Sequence, residues 1–208
     1  MEINPNNIPH QSVYKLLTGS VLPRPIGWIS TLDADGRANL APFSFFNVVC
    51  SKPPTVVFCP TIRGTDGKSK DTLNNVRATG EFVVNIVTEE LVQAMNLSSV
   101  EAPPEVNEFE FAGVTPTASQ TVRPPRVKES PVHFECRVRQ IVEISSEPGG
   151  GSLVIGEVLH IHVDARVLIG GDKINLAALK PVGRLVGSGY VRVTDVFEME
   201  RPKSLLKE

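Results

Sequence analysis

The chain is poor in cysteine: three residues in 208, at positions 50, 59 and 136, with no CxxC pair. An odd number without paired spacing argues against a disulfide framework and against a zinc knuckle. Cys50 and Cys59 sit in apolar, strand-like runs, which predicts buried free thiols. No apolar stretch approaches the ~20 residues that span a bilayer. The N-terminal MEINPNNIPH is polar and lacks a signal-peptide core. Net charge is only −2, with acids and bases interspersed. Neither a basic patch for nucleic acid nor a polybasic or amphipathic run for a membrane surface is present. GxGxxG is absent, and Gly149-Gly150-Gly151 lies between strand-like runs, so it reads as a turn. Of four histidines only His160 and His162 are close, and their spacing puts both on one face of a strand. No HExxH or acidic ligand set accompanies them, so a structural role is expected ahead of a metal site.

What is present is 41% hydrophobic and 21% charged, the balance of a globular protein. We expect a soluble cytoplasmic protein of one domain, with its core over about 20–193 and a mobile charged tail at 200–208. Strand signals dominate: Val-, Ile- and Phe-rich runs at 25–32, 37–49, 55–59 and 81–87, bounded by Gly, Pro and Asp. A long hairpin follows, 132–145 and 152–168, turned by Glu147-Pro-Gly-Gly-Gly151. A last strand is expected over 189–198. Helical signals are short, at 13–17, 71–78 and 89–96. The Pro- and Glu-rich stretch 98–131 reads as a long excursion with little regular structure. Many antiparallel strands with few peripheral helices predict a mainly-β, closed or nearly closed barrel.

Two segments carry chemistry. Residues 23–31 and 39–47 read as a hairpin, turned at Asp33-Ala-Asp-Gly36, whose second arm is interrupted by Pro42. A proline removes a ladder donor, so that arm is bulged or at an edge. Amides freed there can face a flat, polar-edged aromatic ligand, or the phenylalanines can simply pack inward; both readings stand. The second segment, Arg63-Gly-Thr-Asp-Gly-Lys68-Ser-Lys70-Asp71-Thr72, crowds cations and hydroxyls before a helix start. Helix N-termini attract phosphate, although capping by Ser69, Asp71 or Thr72 with solvated lysines explains the same residues. Asp71 should then point away, capping or pairing with a lysine. A ring site and a phosphate site together fit flavin mononucleotide, with Ser30 and Thr31 able to reach its ribityl or phosphate groups and Trp28 beside the ring.

The ordered set PRPIGWIST (23–31), DGRANLAPFSFFN (35–47), KDTLNN (70–75), TGEFVVNIV (79–87), PPRVKESPVHFEC (124–136), IGEVLHIHVD (155–164) and LKPVGRLVGSGYVRV (179–193) resembles the flavin reductase-like family of FMN-binding split barrels. The resemblance implies a split barrel, a homodimer, and one FMN per subunit near the interface. It implies reduction of that flavin by NAD(P)H or by a protein donor. It places Trp28, Ser30 and Thr31 on the first flavin-lining strand. Asn39, Ala41, Phe43, Ser44, Phe45, Phe46 and Asn47 fall on the segment facing the ring. Arg63, Lys70 and Thr72 fall at the phosphate. His162 falls near the flavin's exposed face as the candidate catalytic group. Arg184 and Tyr190 match a C-terminal signature that completes the pocket from the partner subunit. Glu135 and Cys136 match a barrel-wall pattern.

The function implied is an FMN-dependent oxidoreductase moving reducing equivalents from NAD(P)H to flavin and on to an acceptor, with a partner monooxygenase or redox protein in view. A flavoredoxin-like electron carrier with tightly held FMN and no NAD(P)H activity is the alternative. A flavin-free barrel used for binding or assembly, with 98–131 as its interaction arm, is the third reading.

Overall fold

In the computed structural model of the protein, which describes residues 1–103 and 105–205, the expected second arm of the first hairpin is two separate strands. β1 (Gly27–Leu32) and β2 (Ala38–Phe43) form the hairpin, with Trp28 opposite Pro42. At Phe43 the ladder ends. Ser44 and Phe45 cross over, and β3 (Phe46–Ser51) opens a new pairing with β4 (Pro54–Phe58). Next come β5 (Glu81–Ile86) and a short pair, β6 (Pro116–Thr117) with β7 (Arg126–Val127). The long hairpin is β8 (Val132–Ser145) and β9 (Gly151–Val163). Two further pairs close the chain, β10 (Leu168–Ile169) with β11 (Lys173–Ile174), and β12 (Val182–Arg184) with β13 (Tyr190–Arg192). The helices are α1 (His10–Ser20), α2 (Asp71–Thr79), α3 (Val92–Leu97), α4 (Glu108–Ala112) and α5 (Leu176–Leu179).

Seven strands form one antiparallel sheet in the order β2-β1-β5-β8-β9-β4-β3. Its edges, β2 and β3, are consecutive in the chain. The Ser44–Phe45 link can span only on the order of 10 Å, so the sheet must curl until its edges meet. Gly27 shows that it does: a Cβ there would lie 2.6 Å from the ring of Phe46, on the far edge strand. The result is the mainly-β split barrel expected from the sequence. Replacing Gly27 with alanine is expected to cost about 1–3 kcal/mol by overpacking this closure. The check is the denaturant midpoint, and an unchanged midpoint would mean that Phe46 is not held against β1.

Each of the seven strands sends an apolar side chain into the lumen: Ile29, Phe43, Phe46, Phe58, Phe82, Cys136 and Val154 among them. The rings of Phe43, Phe58 and Phe82 follow one another at centroid spacings of 5.3 and 5.0 Å. Leu73 and Val76 of α2 join the same cluster. α2 stops at Gly80, which takes the left-handed conformation (φ 69°) and donates its N–H to Val76 O.

A second core lies on the outer face of β1 and β2, where Trp28 and Leu40 pack with Leu91, Met95 and Phe109. β1 is therefore buried on both faces. The 98–131 excursion is correspondingly not structureless: α4 and the β6–β7 pair lie within it, and Phe109, Ala112, Val114 and Val127 complete the outer core. Residue 104 of that excursion, and residues 206–208 at the end of the expected tail, lie outside the described residues.

Other sequence expectations shift for local reasons. The helix expected at 89–96 begins as a 3-10 turn, Glu89–Leu91, to which Thr88 gives no side-chain cap. The strand expected over 189–198 stops at Arg192, because its partner β12 is only three residues long. Cys50 is exposed, contrary to expectation, since the residues of β3 beyond Phe46 face outward; Cys59 is half-buried and Cys136 buried. Among the described residues no helix is long and apolar enough to cross a membrane.

Candidate functional site

The start of α2 is built as expected in position and differently in detail. Its N-cap is Lys70, and no side chain caps the helix. Leu73 N and Asn74 N both turn back to Lys70 O. The N–H groups of Asp71 and Thr72 precede the first intrahelical bond and are left to an outside acceptor. A cleft opens beside them, lined by Arg63, Lys70, Thr72, Asn39, Ala41 and Pro42, with the 98–102 segment and Glu108 on the far side. The Thr72 hydroxyl accepts from Asn39 Nδ2 at 3.0 Å, which leaves its own proton free to donate. Asn75 Nδ2 donates to Thr31 Oγ1 at 3.0 Å and fixes α2 on β1.

Acidic groups also reach this cleft. Asp71 does not point away or pair with a lysine; it lines the cleft and faces Arg63 Nη1 at 3.9 Å. Arg63 Nε is shared with Asp66 Oδ1 at 3.1 Å. Glu108 is buried, and burial pushes its carboxyl pKa up, so its charge is disfavoured there. Its Oε2 accepts from Leu40 N at 3.3 Å. The cleft is small, about 80 Å³, where a water needs about 10–15 Å³. A group of phosphate size fits; a tricyclic ring does not.

β2 runs from this cleft to the crossover. Asn39, Ala41 and Pro42 line the cleft, and Ser44 and Phe45 follow within ~10 Å of extended chain. Phe45 is exposed, Ser44 half-buried, and β3 is a sheet edge with one row of amides unpaired by any strand. Phe43 and Phe46 turn their side chains into the lumen, so any contact they make outside it is through the backbone. Asn47 is exposed and spends its Oδ1 on Val48 N at 2.8 Å.

The first strand needs a larger correction. Trp28, Ser30 and Thr31 are each wholly buried. Trp28 Nε1 donates to Ser98 Oγ at 2.8 Å, and Ser30 Oγ donates to Pro125 O at 2.5 Å. Thr31 is occupied by Asn75. The outer layer supplied by 98–131 covers Trp28 and Ser30, and α2 covers Thr31, so none of the three faces a cleft.

Residues 18–171 match the flavin reductase like domain. The chain belongs to the flavin reductase-like family. A protein of Aquifex aeolicus (strain VF5) is 45% identical over 181 residues, 87% of this chain and 90% of that one. Nitrilotriacetate monooxygenase component B from Bacillus cereus superposes with a TM-score of 0.90 at 35% identity, covering 96% of this chain and 98% of that chain. The 2-nitrobenzoate 2-nitroreductase of Pseudomonas fluorescens does so with a TM-score of 0.87 at 30% identity, over 100% and 99%.

In this member of the flavin reductase-like family, two expected groups lie apart from the cleft. His162 sits on β9 with Nε2 2.6 Å from Glu135 Oε1. Glu135 is wholly buried. It also accepts from Gln120 N (2.8 Å), Thr121 N (2.6 Å) and Thr121 Oγ1 (2.5 Å). Burial opposes its ionisation, but the Thr121 hydroxyl and the Gln120 amide, with His162, outweigh burial and hold its pKa at about 2. The pair thus pins the 120–122 loop to the barrel wall, and His162 acts as a structural partner there. His133 lies across from His162 and is also buried; burial lowers its pKa to about 4, and its Nε2 bonds Val127 O at 2.8 Å. Among the described residues no cluster of His, Cys, Asp or Glu is placed to hold a metal.

Within the one chain Arg184 and Tyr190 line a separate groove. The Arg184 guanidinium lies 4.6 Å from the Tyr190 ring centroid, and Tyr190 Oη bonds Asn96 Oδ1 at 3.2 Å. They do not meet Lys70 or Thr72. Residues that sequence reasoning missed are Glu108, the 98–102 wall and Arg24. Only Arg24, inside the Pro23-Arg-Pro25 element, carried a local signal: a charge set in an otherwise apolar strand entry.

Proposed function

We propose that the protein is an FMN-dependent oxidoreductase of the flavin reductase type, taking reducing equivalents from NAD(P)H. The observation that carries this assignment is the uncapped start of α2, opening on a phosphate-sized cleft that leads along β2 to the Ser44–Phe45 crossover. Lys70, Arg63, the Thr72 hydroxyl and the free amides of Asp71 and Thr72 would hold the phosphate. Arg63 keeps Asp71 partly neutralised, and burial does the same for Glu108, so neither acid offsets the cations fully. Asn39 sets the Thr72 hydroxyl. The exposed amides at the crossover would bind the polar edge of the ring, with Phe45 beside it. Bound FMN would supply the redox chemistry, receiving an electron pair from the nicotinamide and passing it on.

The similarity to nitrilotriacetate monooxygenase component B supports a partner monooxygenase as the acceptor of reduced flavin. A homodimer is supported by α1, which buries only Thr18 and leaves Tyr14 and Leu17 exposed, with Val21 exposed just past its end. The test is anaerobic stopped-flow mixing of the FMN-loaded protein with NADH and NADPH. Rapid bleaching is expected. FMN uptake without bleaching by either nucleotide would replace the reductase with an electron carrier. No FMN uptake would remove the flavin assignment altogether.

A further inference from the structure

Arg24 is a buried cation with no anion. Its residue is 5% exposed, and its guanidinium is satisfied entirely by neutral oxygens. Nη1 donates to Thr18 O at 2.6 Å and Val21 O at 3.4 Å, at the end of α1. Nη2 donates to Leu185 O at 3.0 Å, beyond β12. Nε donates to Ser44 Oγ at 3.3 Å, in the crossover. Its backbone is also paired with Arg184, N to O in both directions. The charged or titratable groups acting on it are Tyr14 and Arg184; among the described residues it makes no ion pair.

A buried ion is normally neutralised by a partner, because desolvation costs several kcal/mol per ion. An arginine cannot escape by losing its proton. Three carbonyls and a hydroxyl solvate this one, and the negative end of α1 offsets part of its charge, but no carboxylate among the described residues neutralises the rest. That charge is centred one side chain behind Ser44, on the segment assigned above to the ring.

We infer that Arg24 is a positioning residue that biases the site toward the reduced, anionic form of the flavin. This rests on the flavin assignment of the preceding subsection. Two effects act together. The Nε–Ser44 bond fixes the crossover so that its amides are presented, and the remaining positive charge stabilises negative charge that develops on the ring edge beside them. A carboxylate partner would cancel the second effect, which gives its absence a functional meaning.

The experiment is titration of the protein with FMN in the oxidised state and, anaerobically, in the reduced state. The ratio of the two dissociation constants reports the potential shift, and it does not move when stability alone changes. In Arg24→Gln the preference for reduced FMN is expected to fall about tenfold, equivalent to about 30 mV for a two-electron couple. Arg24→Lys keeps the charge but not the planar fork. It is expected to melt at lower temperature and to retain most of the preference. An unchanged ratio in a folded Arg24→Gln protein overturns the inference and leaves the flavin assignment intact. A fall in Arg24→Lys as large as that expected for Gln also overturns it, and this arm decides the matter if Arg24→Gln does not fold. Failure of the parent protein to bind FMN removes both.

Discussion

Alanine in place of Lys70 is expected to weaken FMN binding about 10- to 100-fold, the loss of one charge-assisted contact to a phosphate. Lys70 is suited to this role by position more than by charge alone. As N-cap of α2 it cannot cap the helix with its own ammonium group, and no other side chain does so. Its side chain lines the same cleft as Arg63 and Thr72. Riboflavin, which lacks the phosphate, is the control: its affinity should be the same for Lys70→Ala and the parent. Fluorescence or calorimetric titration of both ligands separates the cases. Equal FMN affinity in the two proteins would show that the phosphate is held elsewhere. Equal losses for FMN and riboflavin would show that the substitution had disturbed the ring end.

Removal of the Glu135 carboxylate should be the most damaging single change to stability, about 3–5 kcal/mol for Glu135→Ala. Two backbone amides, a hydroxyl and the His162 ring all converge on it at 2.8 Å or less. Without it, those donors lose their shared acceptor and the 120–122 loop loses its tie to the barrel wall. Acid should produce the same loss gradually. The folded pKa of about 2 lies below the usual 4.5, so the stabilisation is complete above pH 4.5 and is lost as pH falls through 2. His133 adds an earlier phase: its folded pKa of about 4 lies below the usual 6.5. Its native neutral form is favoured fully above pH 6.5 and is progressively penalised as pH falls toward 4. Unfolding free energy measured against pH should therefore decline from 6.5 downward in the parent. Glu135→Ala should keep the His133 phase and lose the one below 4.5. A loss under ~1 kcal/mol, or an unaltered limb below pH 4.5, would show that the carboxylate is not the anchor of the 120–122 loop.

The parts of this fold that were legible in the sequence are the parts whose causes are local. β8 needs only its β-branched run and the glycine turn that follows, and its bounds come out as read. The start of α2 is likewise a matter of a few adjacent residues, and Arg63, Lys70 and Thr72 do share one cleft. Pro42 correctly marked a disrupted arm. That the arm divides between opposite edges of a sheet was not legible, because it depends on which strands pair between them. Trp28, Ser30 and Thr31 were misplaced for a similar reason. Their strand looks like a ligand wall until Ser98, Pro125 and Phe109, far along the chain, are folded over it. Arg24 depends on Leu185, 161 residues away, for one of its acceptors. Burial of polar groups by distant segments has no signature in a neighbouring window.

The crossover has one more consequence. A seven-strand ring whose only seam falls between strands adjacent in sequence is a hoop fastened by a two-residue clasp. Slackening the hoop at that seam severs no ladder, whereas slackening it between any other neighbours does. The two residues of the clasp are held by a bond from Arg24 to Ser44 and one from Cys59 N to Phe45 O, not by a ladder across the seam. Insertions should not be tolerated at the clasp, where chain length sets the circumference of the barrel.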